Sequence, residues 1–222
     1  MKETVAIAHP NFALVKYWGK KDSNQNRPAM SSISVTVDSM ISKTKIFKNF
    51  QSNHHQLFIN GKEESDLSKI LPPLEYLSEF SRTEEYLVIE SQNNFPTSSG
   101  LASSASGIAS LVTAYEAHYD LCLDINDKVK ACMLGSGSAP RSLIGGFVLM
   151  DHKDNYRCSQ ILKEPEWPLD VLICIASKEP KKISSRKGME ISKKTSPIYQ
   201  DWLDVNDKHI NLALNAIKDK DM

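Results

Sequence analysis

Residues 94–107 read Asn94-Phe95-Pro96-Thr97-Ser98-Ser99-Gly100-Leu101-Ala102-Ser103-Ser104-Ala105-Ser106-Gly107, so that a loop of proline, glycine and serine runs directly into a helix of small residues. Gly100 lets the backbone approach a ligand closely. The first-turn amides of a helix have no intrahelical partners and, together with the helix dipole, they form a site for an anion. The stretch therefore suits a bound phosphate, to which five hydroxyls can donate: Ser98, Ser99, Ser103, Ser104 and Ser106.

The same residues allow a second interpretation, in which an ordinary loop and cap precede a helix that packs closely through alanine and glycine. The loop has neither the lysine of a Walker motif nor the glycine spacing of a dinucleotide-binding turn. From this stretch alone, both interpretations stay open.

The apolar pattern of the whole chain predicts an α+β fold. Alternating or β-branched apolar residues predict strands at 4–8, 32–37, 43–47, 57–59, 86–90, 146–151 and 170–176. Helical spacing predicts helices over 67–80, from the loop past Val112, over 124–134 and near the C-terminus. The last of these has an apolar stripe of Trp202, Val205, His209, Leu212, Ala213 and Ala216.

Composition narrows the range of partners and compartments. The 27 Lys and Arg balance the 27 Asp and Glu of this 222-residue chain. Without a dense basic stripe, neither nucleic acid nor an anionic membrane is expected as the main partner. Four widely spaced cysteines lack the spacing of a zinc or redox site and are expected to be reduced. The lack of a signal-peptide core or of a membrane-length apolar segment predicts a cytoplasmic protein.

Two further stretches are rich in residues that bind anions. The first, Gly135-Ser136-Gly137-Ser138-Ala139-Pro140-Arg141-Ser142, is a second glycine-rich loop, which is read either as a binding loop or as a plain helix-to-strand turn. The second, residues 178–194, is strongly basic and contains Ser184-Ser185-Arg186. A charge run of this kind is usually a solvated face.

Set beside these loops, the run 11–22 reveals a family resemblance. Four segments agree in order and spacing with diphosphomevalonate decarboxylases, of the galactokinase, homoserine kinase and mevalonate kinase superfamily: Lys16-Tyr17-Trp18-Gly19-Lys20, residues 93–107, residues 135–146, and Ser184-Ser185-Arg186-Lys187-Gly188-Met189 with Thr195-Ser196-Pro197 after it. The phosphate loop alone is typical of the superfamily. The KYWGK run together with Gly-Ser-Gly-Ser-x-x-Arg resembles the decarboxylases specifically.

The resemblance implies a two-lobed α+β fold whose cleft holds ATP beside mevalonate 5-diphosphate. An N-terminal lobe would occupy 1–168, and 169–222 would begin a second lobe that is incomplete here. The implied products are isopentenyl diphosphate, carbon dioxide, ADP and phosphate. Because a tertiary alcohol is a poor leaving group, the 3-hydroxyl would be phosphorylated first, and phosphate would leave as the carboxylate is lost. The resemblance also makes a homodimer reasonable.

The resemblance assigns roles to individual residues. Arg141 and Lys20 are the expected catalytic residues, since a planar guanidinium can hold a carboxylate or a phosphoryl group through two parallel hydrogen bonds. The implied substrate-binding residues are Tyr17, Trp18, Gly19, Lys20, Ser136, Gly137, Ser138, Ala139, Pro140, Arg141, Ser185, Arg186 and Thr195. Without the resemblance, Tyr17 and Trp18 would be read as core aromatics.

The resemblance also implies a site for ATP and Mg²⁺. The implied nucleotide-binding residues are Ser98, Ser99, Gly100, Leu101, Ala102, Ser103, Ser104, Ser106 and Lys181. Magnesium is expected mainly on phosphate oxygens and water, because it retains water and takes few protein ligands. Ser104 is its candidate protein contact.

The sequence departs from the family pattern in three places. The family's Asp-x-Gly-Pro-Asn segment, whose aspartate contacts the 3-hydroxyl and is its proposed base, does not occur in these residues. None of Asp22, Asp38, Asp151 and Asp201 matches it. Met30 replaces the asparagine before the paired serines, and the basic residue after the Asn-Gly turn has only Lys69 as an approximate counterpart. We therefore expect the natural protein to be longer and this form to lack turnover.

Three other functions stay open at this point. A mevalonate or phosphomevalonate 3-kinase of the same fold would stop after phosphoryl transfer. A phosphomevalonate decarboxylase would differ only in the number of substrate phosphates. A non-catalytic module that binds phosphorylated metabolites would need no aspartate.

Overall fold

The computed structural model describes residues 2–22, 25–96, 101–174 and 183–221. Its strands in chain order are β1 Thr4–Ala8, β2 Asn11–Val15, β3 Lys20–Asp22, β4 Arg27–Pro28, β5 Ser32–Thr36, β6 Ser42–Lys48, β7 Gln56–Ile59, β8 Lys62–Glu64, β9 Leu87–Asn93, β10 Phe147–Asp151 and β11 Arg157–Leu162. Its α-helices are α1 Leu71–Ser81, α2 Ser103–His118, α3 Ile125–Gly135, α4 Ser185–Thr195, α5 Tyr199–Asp204 and α6 Asn206–Asp219. The predicted α+β class is confirmed.

The strands form two larger sheets and a small ribbon. The five-stranded sheet has the order β1-β6-β9-β7-β8, and only its β7–β9 pair is parallel. The four-stranded sheet has the order β11-β10-β5-β2 and is antiparallel throughout. Asn60 and Gly61, with φ of 51° and 79°, join β7 to β8, as expected of an Asn-Gly turn in which both central residues are left-handed.

Helix α2 packs against the five-stranded sheet and sets the position of the loop before it. Ala105, Ile108 and Val112 of α2 contribute to a core with Ile46 and Ile89 of the sheet. Hydroxyl pairs cross the same interface between β6 and α2. Ser42 Oγ lies 2.6 Å from Ser106 Oγ, and Thr44 Oγ1 lies 2.6 Å from Ser110 Oγ.

Helix α6 covers part of the four-stranded sheet. Its Ile210 and Ile217 are buried with Ile33 of β5 and Phe147 of β10. At its first residue, Asn206 Oδ1 accepts from the Ser31 amide, and Asn206 Nδ2 donates to the Ser31 carbonyl, both at 3.1 Å. The C-terminal helices are therefore joined directly to the start of β5.

Two predictions of secondary structure and burial are wrong in the described residues. Residues 170–174 form no strand, and Leu172 is 89% exposed, because no described strand pairs with this segment. In the C-terminal region, Trp202, Val205 and Leu212 are exposed, whereas Ile210 and Ile217 are buried. The prediction extended one helical spacing through Val205. In the structure, α5 ends at Asp204 and α6 begins at Asn206, so the buried face changes at Val205. None of the described helices is both long and apolar enough to cross a bilayer.

Candidate active site

Among the residues that the structure describes, Arg141 is the largest fully buried side chain, with 2% of its surface exposed. It lies on the short 3₁₀ helix Ala139–Leu143, whose second residue is Pro140. Its Nε donates to Ser34 Oγ at 3.0 Å, and its Nη1 donates to Ser32 Oγ at 2.6 Å. Because these serines are two residues apart on β5, their hydroxyls share one face of the sheet. The strand therefore fixes the plane of the guanidinium.

The charge of Arg141 has no carboxylate partner within 4.0 Å among the described residues. The Tyr17 ring lies beneath it, with 5.8 Å from the guanidinium carbon to the ring centroid. Burial lowers the pKa of Arg141 and raises that of the Tyr17 phenol. A buried cation without an opposite charge is costly, and an anionic ligand would remove that cost. The arrangement therefore suits a carboxylate or a phosphoryl group.

The Gly135–Ser142 loop is packed tightly against this cluster. A Cβ on Gly137 would lie 2.7 Å from the Tyr17 hydroxyl oxygen and 2.9 Å from the Asn26 carbonyl oxygen, so no side chain fits there. Asn11 Nδ2 holds the loop from β2 by donating to the Ser138 carbonyl at 3.1 Å and to Ser142 Oγ at 2.7 Å. The Ser136 and Ser138 hydroxyls lie 3.3 Å apart, and both residues are partly exposed.

The run from Tyr17 to Lys20 contacts the C-terminal helices. Trp18 Nε1 donates to Ser192 Oγ of α4 at 2.9 Å. Gly19 has a φ of 119°, and a Cβ built on it would lie 1.8 Å from the Tyr199 hydroxyl of α5. Only glycine satisfies both conditions at this position. Trp18 and Tyr199 therefore form part of a wall that runs from the Tyr17–Lys20 segment into α4 and α5.

A second group of cations meets beside this wall. Lys20 Nζ donates to Asn26 Oδ1, and Arg186 Nη2 of α4 donates to the same oxygen at 3.1 Å. Burial and the nearby Arg186 lower the pKa of Lys20 to about 8, while Glu190 acts in the opposite direction. Like Arg141, Lys20 and Arg186 have no ion-pair partner within 4.0 Å among the described residues. Lys20 is partly buried and Arg186 is exposed, and the pair is a second place where an anion would be favourable.

The described end of the predicted phosphate loop contains a helix start without a side-chain cap. Ala102, the residue before α2, is left-handed with a φ of 55°. Ser104 is exposed in the first turn, and Leu101 and Ser103 are partly exposed. Ser106 is fully buried, and its hydroxyl pairs with Ser42, so that side chain faces the sheet and not the loop. Ser98, Ser99, Gly100 and Lys181, which the sequence analysis also assigned to the nucleotide, lie outside the described residues.

The predicted residues of α4 are spread along the helix. Ser185 is exposed in the first turn, where Ser184 Oγ caps the helix by accepting from the Lys187 amide at 3.3 Å. Thr195 is the last residue of α4 and donates to the Ile191 carbonyl at 2.9 Å. The two ends are about 15 Å apart along the axis at 1.5 Å per residue. None of the described contacts brings Thr195 to the Arg141 or Lys20 clusters.

Comparison with known sequences identifies the family. The sequence model of the diphosphomevalonate decarboxylase-like N-terminal domain matches residues 8–160. This chain belongs to the diphosphomevalonate decarboxylase family. The model of the mevalonate 5-diphosphate decarboxylase C-terminal domain matches residues 171–222. Arg141 and Lys20 lie within the first match, and Arg186 lies within the second.

Individual members of the diphosphomevalonate decarboxylase family agree in sequence and fold. The Candida albicans diphosphomevalonate decarboxylase is 36% identical, and the alignment covers 100% of this chain and 67% of the relative. The Saccharomyces cerevisiae relative is 32% identical, with 98% of this chain and 61% of the relative covered. The structure of the Staphylococcus aureus enzyme has a TM-score of 0.86 and 38% identity, and covers 99% of this chain and 68% of that one. The chain therefore spans 61–68% of the length of these three relatives.

A further solved structure, described as MDDEF in complex with MVAPP, AMPPCP and magnesium, has a TM-score of 0.85 and 33% identity. It covers 99% of this chain and 69% of that one. Among the described residues of the present chain, no group of three or more His, Cys, Asp or Glu side chains could hold a metal ion.

The sequence analysis assigned no role to several residues of this site. Among them, Asn11, Asn26 and Tyr199 each contact a predicted site residue, and of these three only Asn11 lies in a run that the resemblance used. A weak signal existed for Asn26 alone, because asparagine in a polar turn is enriched at left-handed positions. Nothing in the local sequence indicates that Asn11 or Tyr199 reaches the site.

Proposed function

We propose that this protein catalyses the ATP-dependent decarboxylation of mevalonate 5-diphosphate to isopentenyl diphosphate, carbon dioxide, ADP and phosphate. One observation carries the proposal: Arg141 is a buried guanidinium without a carboxylate partner among the described residues, and Lys20 and Arg186 form a separate pair of cations at Asn26. The substrate has a carboxylate at one end and a diphosphate at the other. Two separated sites for anions suit such a molecule.

In this mechanism, Arg141 binds the substrate carboxylate or the transferring phosphoryl group, and its two serine contacts set the direction of its hydrogen bonds. Lys20 and Arg186 bind the diphosphate. The 3-hydroxyl attacks the γ-phosphorus of ATP and loses its proton, and ADP leaves. The bond from the carbon chain to the carboxylate then breaks, its electron pair forms the new C=C bond, and phosphate leaves with the C–O pair. We assign the base that takes the 3-hydroxyl proton to none of the described residues.

The proposed nucleotide site is the start of α2 and the loop before it. The exposed position of Ser104 and the helix start without a side-chain cap support this assignment. Magnesium would neutralise charge on the ATP phosphates, with Ser104 as the candidate protein contact. We leave the Ser106 hydroxyl out of the nucleotide contacts, because it is fully buried against Ser42. Ser185 stays among the proposed substrate contacts, and Thr195 is the weakest of them.

The test is an assay of the full-length natural protein with ATP, Mg²⁺ and mevalonate diphosphate, in which ADP and carbon dioxide are measured together. Equal amounts of the two products are expected. ADP without carbon dioxide would favour a mevalonate or phosphomevalonate 3-kinase. Turnover of the monophosphate in place of the diphosphate would identify a phosphomevalonate decarboxylase. Binding without any turnover would favour a non-catalytic module.

We further propose that the protein acts in the cytoplasm as a homodimer. The family resemblance supports the homodimer. Light scattering of the purified full-length protein measures the molar mass, and a monomer at micromolar concentration would contradict the dimer. Cell fractionation tests the compartment.

A further inference from the structure

Asn26 lies between Lys20 and the Gly135–Ser142 loop. It is 3% exposed, and its backbone is left-handed with a φ of 53°. Its Nδ2 donates to the Leu134 carbonyl near the end of α3. Its own carbonyl oxygen lies 2.9 Å from where a Cβ on Gly137 would be. The side chain is therefore held from α3, and the backbone of Asn26 packs against the glycine-rich loop.

The side-chain oxygen of Asn26 accepts from two cations at once. Lys20 Nζ donates to it from β3, and Arg186 Nη2 donates to it from α4. These groups repel each other, and proximity to Arg186 contributes to the lowered pKa of Lys20. A neutral amide oxygen is a weaker acceptor for such donors than an ionised oxygen. Because Lys20 and Arg186 each have further N–H groups, an anionic oxygen next to Asn26 Oδ1 can accept from both cations.

We propose that Asn26 is a positioning residue for the diphosphate of the substrate. Its side-chain oxygen keeps Lys20 Nζ and Arg186 Nη2 directed at one point, so that both cations reach the same phosphate group. The inference rests on the proposed function for the identity of the ligand. The convergence itself rests on the two hydrogen bonds and on the contacts with α3 and the loop.

Two substitutions separate this role from folding. Asn26→Gly keeps the left-handed backbone accessible and removes the oxygen. Asn26→Asp keeps the size and places a carboxylate between the two cations, where it competes with the ligand. Asn155, which is exposed and has a φ of 46°, provides matched controls in Asn155→Gly and Asn155→Asp.

In the full-length protein, we expect either Asn26 substitution to raise KM for mevalonate diphosphate by about tenfold, the size of one charge-assisted hydrogen bond, while kcat changes less than KM. Asn26→Asp should also move the alkaline limb of kcat/KM to higher pH, because a carboxylate raises the pKa of Lys20. The charged groups that act on Lys20 in the unsubstituted protein are Arg186 and Glu190, both on α4. Unchanged KM and pH limb in both variants, or equal changes in the Asn155 controls, would overturn the inference.

Calorimetry with inorganic diphosphate separates failure of this inference from failure of the proposed function. If the protein does not turn over mevalonate diphosphate, weaker diphosphate binding by Asn26→Gly than by Asn155→Gly still supports the positioning role. If the protein is an active decarboxylase and both Asn26 variants bind diphosphate as the unsubstituted protein does, only the positioning role is wrong.

Discussion

The two cationic clusters of this protein are Arg141 with its serine partners and the pair of Lys20 and Arg186, and they are held in different ways. Arg141 is fully buried and fixed by two hydroxyls of one strand, whereas Lys20 and Arg186 are held by one amide oxygen and come from different parts of the chain. A buried group that is fixed in advance needs no reorganisation when charge develops. Lys20 and Arg186 share only the neutral side-chain oxygen of Asn26. Because Arg186 lies on α4, the geometry of this pair depends on the position of that helix. The first cluster suits the reacting end of a substrate, and the second suits its anchoring end.

The strongest test of this difference is the substitution Arg141→Ala in the full-length protein. Loss of a preorganised charge partner should lower kcat/KM by about 10²–10³-fold, which is about 3–4 kcal/mol of transition-state stabilisation. Arg141→Lys should recover little, because an ammonium cannot reproduce the two-point contact. The measurement is steady-state kinetics, with Arg157→Ala as the matched control, since Arg157 is exposed. A near-normal rate in Arg141→Ala would remove this residue from the mechanism.

A substitution at Gly19 tests the wall on which the second cluster depends. Gly19→Ala should destabilise the protein by about 1–3 kcal/mol through collision with Tyr199, in addition to about 1–2 kcal/mol of backbone strain. Gly61→Ala measures the strain alone, because Gly61 also has a positive φ, of 79°, but open space around it. The measurement is urea unfolding of both variants. Adding Tyr199→Phe to Gly19→Ala should recover part of the collision cost, and no recovery would show that the hydroxyl is not its source.

The pH dependence gives the smallest of the expected effects. The pKa of Lys20 is lowered to about 8, so its charge is lost as the pH rises above that value. We expect kcat/KM to fall by about tenfold per pH unit above the limb, through weaker binding of the diphosphate. The stability contribution of Lys20 has the opposite sign. Between about pH 8 and the ordinary lysine value of 10.5, the unfolded state binds more protons, and the contribution to stability rises with pH.

Lys20→Arg separates these two effects, because arginine stays charged throughout this range. The alkaline limb should then disappear while binding of diphosphate is retained. Parallel measurements of kcat/KM and of the free energy of unfolding between pH 7 and pH 10 provide the comparison. An unshifted limb in Lys20→Arg would assign the titration to another group.

Most of the N-terminal fold was predictable because local patterns and long-range packing agree there. The strand at Thr4–Ala8 has the predicted bounds, and α3 begins after Asp124, whose side chain accepts from two amides of the first turn. The segment 170–174 shows the limit of such patterns. An apolar run is equally compatible with a paired strand and with an exposed segment, and only a partner strand distinguishes them.

The candidate site was predictable only where residues lie in a motif. Arg141 and Lys20 were found through the resemblance, and the structure places both among cations and hydroxyls. Asn26 was missed because its role depends on a left-handed backbone and on donors 6 and 160 residues away. In the basic run, Arg186 and Lys187 are both exposed, but Arg186 also donates to the buried Asn26. Charge patterns alone do not distinguish such neighbours.

The hydroxyl pairs between β6 and α2 have a mechanical consequence. Apolar contacts are not directional, and a helix that packs on a sheet only through alanine and isoleucine can slide by a fraction of a turn at modest cost. Ser42 with Ser106 and Thr44 with Ser110 join α2 to β6 at two points, and a slide would break both of these hydrogen bonds. These contacts fix the position of α2 along the axis of β6. A bound phosphate would meet amides whose height above the sheet is set by these hydroxyls.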